Sequence, residues 1–224
     1  MLILGIDTAF SMSSIALVNN GKILSELQAY RKMAQLVWLT PTLQDFLKRN
    51  EAKWEDIKGV AVTSGPGSYT GSRLAVVTAR SIAQVLDVPV APINTLECMI
   101  KGVPFIEGLL CPLIDARKGE IFTALYYNNE RVSEYMVLKP EELLTILNEK
   151  NEKVYLFGDG IETYENVIAQ GLKTKFQILP PFYYYSRASV AAQMGEKMIA
   201  SGRGKPYYEV NIFYSRPVQI TIKR

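Results

Sequence analysis

The chain has 224 residues, 48% of them apolar, with a net charge of +3, no histidine and two cysteines. That is enough to fold around its own core without staples. The missing histidine removes the Ser-His-Asp triad, the Cys-His pair and His-based zinc sites. Cys98 and Cys111 are too far apart for a C-x-x-C motif and too few for a disulfide framework, which points to a reducing, cytoplasmic setting. The apolar start Met1 to Ile6 is interrupted by Asp7 and has no Lys or Arg before it, so neither a signal peptide nor a membrane association is expected. From Leu172 onward nine basic residues face two acids, a local excess of +7 that leaves −4 for the preceding part. Such asymmetry can mark a polyanion-facing end.

In chain order, LILGID, SIALV and KILSEL read as a strand meander, with Asn20-Gly21 supplying a tight hairpin turn. From Met33 to Lys48 apolar residues recur at helical spacing: Met33, Leu36, Val37, Leu39, Leu43, Phe46 and Leu47, with Trp38 outside the stripe. That stripe is wider than one sheet needs. KGVAVTS is a strand, Gly65 to Gly71 a loop, and Ser72 to Leu86 a second helix that is apolar on nearly all sides except for Arg73, Arg80 and Gln84. The strand VPVAPI and a short helix near Thr95 to Lys101 complete a first lobe, residues 1–101. A second lobe, residues 102–224, starts likewise: LLCPLID, the turn ARKG, EIFTALYY and RVSEYMVL, then a helix opened by Pro140, the strand VYLFGDG, a helix at Glu162 to Ala169, the strand FQIL and a helix from Ser186 to Ile199. Two successive units of hairpin, helix, strand and helix predict a duplicated architecture, with the last segment able to pack back on the first lobe.

The loop Gly65-Pro66-Gly67-Ser68-Tyr69-Thr70-Gly71 joins a strand to a helix, where free amides make an anion site. It has neither Walker A nor dinucleotide spacing, and a purely structural turn is the alternative. Asp7-Thr8, Asp115 and Asp159 each end an apolar strand, where acids can hold Mg²⁺ or simply cap the next turn. Tyr183-Tyr184-Tyr185 and Tyr207-Tyr208, set among basic residues, suit either RNA stacking or packing.

Together ILGIDTA, GPGSYTGSR, DARKGEIF, GDG and YSRP resemble a family of bacterial tRNA threonylcarbamoyladenosine biosynthesis proteins, TsaB, formerly YeaZ, over essentially the whole chain. The resemblance implies an α/β fold of two actin/Hsp70/hexokinase-like lobes, each a mixed sheet with flanking helices. It also implies a non-catalytic partner for a TsaD-like enzyme, which transfers threonylcarbamoyl to the adenosine beside the anticodon of ANN-decoding tRNAs. A TsaE-like ATPase completes such an assembly, ATP and metal are used by the partner subunits and bound tightly by none of this chain, and tRNA is contacted indirectly. The catalytic relatives hold a metal with His on the first long helix, where this chain offers Gln35. Here the start of that helix reads Met33-Ala34-Gln35, and the glycine loop ends in Ser72-Arg73 where many relatives have Leu-Arg.

In the family the two first-lobe helices form a bundle with a partner or a second copy, so the chain alone is expected to dimerise. The interface expected here is Met33, Leu36, Val37, Leu39, Leu43, Phe46 and Leu47 of the first helix with Val76, Ala79, Arg80 and Ala83 of the second. In the second helix the small residues are expected to face the partner, and Leu74 and Val85 the sheet. A rival reading is a stand-alone Mg-ATP phosphotransferase using Asp7, Thr8, Asp159 and the glycine loop (Gly65, Gly67, Ser68, Thr70, Gly71) as a nucleotide site.

Overall fold

Strands β1 (Leu2–Asp7), β2 (Met12–Asn19) and β3 (Lys22–Tyr30) form an antiparallel meander. Asn20 and Gly21 take φ of 50° and 74°, the left-handed pair that the tight turn requires. The computed structural model describes residues 1–30 and 35–213, the side chains of residues 35 and 36 aside. Helix α1 (Gln35–Arg49), strand β4 (Gly59–Thr63), helix α2 (Tyr69–Leu86) and strand β5 (Val90–Ile93) follow. The sheet order is β3-β2-β1-β4-β5, with β4 parallel to both β1 and β5. Helix α2 starts three residues earlier than its apolar pattern suggests, because Ser68 caps it by accepting from the Gly71 amide at 3.2 Å.

After α3 (Thr95–Gly102) the chain repeats the plan with β6 (Leu109–Pro112), β7 (Ile114–Arg117), β8 (Glu120–Thr123), β9 (Tyr126–Tyr127), β10 (Glu130–Arg131), β11 (Met136–Leu138), α4 (Pro140–Asn148), β12 (Val154–Phe157), α5 (Gly160–Gly171) and β13 (Phe176–Ile178). Its main sheet runs β10-β9-β6-β12-β13, antiparallel on one side of β6 and parallel on the other, as in the first unit. The expected duplication is therefore present in the topology. The runs LLCPLID, EIFTALYY and RVSEYMVL, read as single strands, are each broken in two. At Leu113 the first run leaves the main sheet, and β7 joins β8 and β11 in a separate three-stranded sheet. Leu113 donates its amide to Phe157 O at 2.7 Å and so ends the β6 ladder beside β12.

Helix α6 (Ala188–Ala200) returns to the first sheet. Its Ala191 and Ala192 are buried with Ile3, Val18, Ala61 and Ala91, while Leu4, Ile6, Ile15 and Leu17 pack with α1 and α2. Because successive side chains point to opposite faces of a strand, these two sets place α6 and the α1/α2 pair on opposite sides of the sheet. The approach of α6 is close: a Cβ on Gly5 would lie 2.2 Å from Ala188 O, and one on Gly195 2.5 Å from Ala61 Cβ. Among the described residues no helix is long and apolar enough to cross a membrane.

Candidate functional site

At the carboxyl end of β1, Asp7 is fully buried. It accepts from the Ala9 amide at 2.9 Å, from Thr63 Oγ1 at 2.7 Å and from the Ser186 hydroxyl through a short bond. Burial pushes its carboxyl above the ordinary range, and the three donors pull in the opposite direction. The glycine loop lies directly on this turn. Ser68 donates its amide to Ala9 O at 2.7 Å, and Thr8 Oγ1 donates to Gly71 O at 2.6 Å. A Cβ on Gly71 would sit 1.9 Å from Thr8 O, one on Gly67 2.6 Å from Ala9 O, and one on Gly65 2.6 Å from Phe213 O. The loop glycines thus accommodate the chain's own backbone, the Ser68 amide is already spent on Ala9 O, and the Gly71 amide donates to the Ser68 hydroxyl. Thr70 is exposed beside them.

The second unit has an equivalent turn. A Cβ on Gly158 would lie 2.1 Å from Leu113 O, and Gly160 donates its amide to that same oxygen at 3.0 Å. Here two of the predicted acids meet: Asp159 Oδ1 accepts from the Asp115 amide at 3.1 Å. Asp115 is clamped by Arg117, whose backbone amide and Nη1 each reach a carboxylate oxygen at 2.8 Å. Burial, with Asp115 close by, pushes the Asp159 carboxyl up to about 7. Asp7 is bonded elsewhere, and among the described residues no three of His, Cys, Asp and Glu are grouped closely enough to hold a metal ion. Cys98 and Cys111 are buried and free, and burial pushes both thiols up, Cys111 to about 12.

The helix faces differ from the expectation. Leu39, Leu43, Phe46 and Leu47 of α1 and Val76, Ala79 and Ala83 of α2 are buried in this chain's own core, against Leu4, Ile6, Val60 and Val62. They are not available to a partner. The reason is steric: small residues on α2 let it lie close over the sheet and against α1, so the narrow face turns inward. Arg80 is half-buried, and Trp38, placed outside the stripe on spacing, is half-buried against the same core. What α2 turns outward is Val77 and Val85, 59% and 83% exposed, beside the half-buried Leu74; Val37 of α1 is 79% exposed. The expected interface residue Met33 lies outside the described residues, as does the YSRP motif, and the Leu36 side chain is likewise not described.

Of the tyrosine run, Tyr184 is buried and Tyr183 and Tyr185 pack against the second-unit core, so this run is a packing element. Tyr208, by contrast, is exposed, set edge-on to Tyr207.

The tRNA N6-adenosine threonylcarbamoyltransferase family model, TsaD, matches residues 29–205. The chain is 30% identical over 205 residues to the tRNA threonylcarbamoyladenosine biosynthesis protein TsaB of Bacillus subtilis, covering 90% of each chain. It is 34% identical over 149 residues to the protein of that name from Escherichia coli, covering 63% of this chain and 64% of the other. YeaZ from Pseudomonas aeruginosa superposes with a TM-score of 0.79 at 20% identity, covering 95% of this chain and 99% of that one. The ethanolamine utilization protein EutJ from Carboxydothermus hydrogenoformans superposes with a TM-score of 0.53 at 8% identity, over 87% and 90%. The fold is thus the two-lobed actin/Hsp70-like α/β class. With a family model spanning most of the described residues and a relative that matches nearly end to end, this chain belongs to the TsaB (YeaZ) branch of the tRNA threonylcarbamoyladenosine biosynthesis family.

Proposed function

We propose that the chain serves tRNA threonylcarbamoyladenosine formation as a non-catalytic subunit, binding and activating a TsaD-like enzyme that modifies the adenosine beside the anticodon of ANN-decoding tRNAs. The observation that carries this is the outer ridge of α2. Leu74, Val77, Ser81 and Val85 recur at helical spacing on the side away from the sheet, and Val77 and Val85 stand in solvent. Small Ser81 at the centre of such a ridge allows a second helix to approach closely. The partner meets this outer ridge, with Val37 of α1 beside it, rather than the inward residues that spacing alone selects.

Catalysis, ATP and metal belong in this reading to the TsaD-like and TsaE-like subunits, with tRNA reached through them in the cytoplasm. Alone, the chain pairs with a second copy through the same ridge. The rival phosphotransferase reading needs a free Asp7, and that carboxylate is surrounded by Ala9, Thr63 and Ser186. In a reconstituted assay, tRNA modification by a TsaD-like enzyme should require this chain, and the chain alone should give none. Turnover by the purified chain that disappears in Asp7→Ala would overturn the proposal.

A further inference from the structure

The pairing registers bring a row of cations to one end of the first sheet, the end at which β1 begins. Lys22 pairs with Asn19, and Asn19 with Leu2. Lys58 donates its amide to Leu2 O at 2.8 Å, Val60 pairs with Val90, and Val90 pairs with Lys205. From Lys22 through Lys58 to Lys205 the row therefore crosses five strand spacings, a width of about 24 Å. Helix α6 ends at the same place: a Cβ on Gly59 would lie 2.6 Å from Ile199 Cδ1, and one on Gly204 2.9 Å from Pro89 Cβ. Its last turn adds Lys197, and Arg203 is held just beyond it by an amide bond to Met198 O of 2.9 Å.

Lys22, Lys58, Lys197, Arg203 and Lys205 are all exposed, and none is in an ion pair among the described residues. Lys58 and Arg203 each donate to a neutral oxygen, Glu55 O and Ser201 Oγ, which leaves their charge uncompensated. The acids on the α6 side are spent. Glu196 is buried, accepts from the Asn20 and Gly21 amides at 2.8 and 2.5 Å, and lies 3.7 Å from the N-terminal ammonium. Glu26 accepts from the Ser189 amide and pairs with Arg187. Around the ends of α1 and α2 the balance differs, because Lys48, Arg49 and Lys53 are offset by Glu51, Glu55, Asp56 and Asp87. A row this long exceeds any small anion and suits a chain of phosphates, whose bound counterions such cations release. Three residues past Lys205, beside the exposed Glu209, Tyr208 stands 62% exposed, a ring on which a base can stack and for which an acidic polypeptide has no use.

We propose that this edge holds the phosphate backbone of an RNA, with Lys197, Arg203 and Lys205 as phosphate contacts and Tyr208 stacked on an unpaired base. In the assembly that RNA is the tRNA brought to it by the enzyme subunits. The contact goes beyond the partner reading and uses no residue of the α2 ridge, so either can fail alone.

Fluorescence anisotropy of a labelled tRNA transcript with the full chain alone tests it. Saturable binding is expected, weakening at least about tenfold between 50 and 200 mM salt. The Lys197→Gln, Arg203→Gln, Lys205→Gln triple variant should bind about tenfold more weakly at the lower salt, with the slope of log affinity against log salt reduced by about 2. Tyr208→Ala should cost about fivefold and leave that slope unchanged, and the Lys48→Gln, Arg49→Gln double variant should bind as the unaltered chain does. Circular dichroism melting confirms that each variant is folded. No binding at low salt overturns the proposal, as does unaltered binding by the triple variant or an equal loss in the Lys48, Arg49 double variant. Displacement by poly-L-glutamate as effective as by unlabelled tRNA also overturns it, assigning the edge to an acidic protein instead.

Discussion

The two units share one sheet order and place a glycine turn at the same point, yet they treat the acid beside it differently. In the first, Asp7 is sealed under the loop and bonded by three separate donors. In the second, Asp159 has the Asp115 amide for a donor and the Asp115 carboxylate as an unfavourable neighbour, and it titrates near 7. Topology therefore sets where an acid stands, and local hydrogen bonding sets what it can do. The first turn is locked structure, whereas the second holds its charge under tension.

The largest effects should come from filling the close approaches that both turns share. Gly71→Ala and Gly158→Ala would place a Cβ 1.9 and 2.1 Å from backbone oxygens, and the second also has φ of +116°. Each should lose more than about 4 kcal/mol, enough to prevent folding of a marginally stable chain. Chemical denaturation would show whether the two turns are equally rigid. A mild loss at Gly158 alone would make the second turn the more adaptable one.

Ala79→Glu comes next, because it buries a charge in the core between α2, α1 and the sheet. A loss of about 3 kcal/mol or more is expected in a thermal or denaturant melt. A variant with native stability would restore the outward assignment of the small residues.

The contrast between the acids is sharpened by pH. A carboxyl raised in the folded state binds its proton more tightly there than in the unfolded chain. Asp159 thus lowers stability as pH rises from about 4, the unfolded value, through about 7, and adds no further slope above that. Asp159→Asn, which keeps an acceptor for the Asp115 amide, should raise the melting temperature at pH 8 and leave it little changed near pH 4. Asp7 tilts the curve in the same direction in both proteins, so the difference between them isolates Asp159. Identical pH profiles would remove the distinction between the turns.

Much of the fold is legible in the residues. Asn20-Gly21 announces its hairpin, Pro140 its helix and ARKG its turn, because each depends on local backbone preferences. The repeated order of elements is visible for the same reason. The faces of α2 were not legible: a helix apolar on most sides gives spacing no contrast to work with, and only the sheet beneath it decides which stripe turns inward. The break at Leu113 is hidden in a continuous apolar run, with Pro112 as its one local signal. The union of Asp115 with Asp159 joins residues far apart in sequence and depends on the glycine turn between β12 and α5.

The central claim is that α2 gives its small residues to the core and its outer valines to a partner. Affinity capture of a TsaD-like enzyme by the Val77→Glu, Val85→Glu double variant tests this most directly, with circular dichroism melting on the same preparation. The account predicts a near-native melt with capture lost. A folded double variant that still captures the enzyme would contradict it.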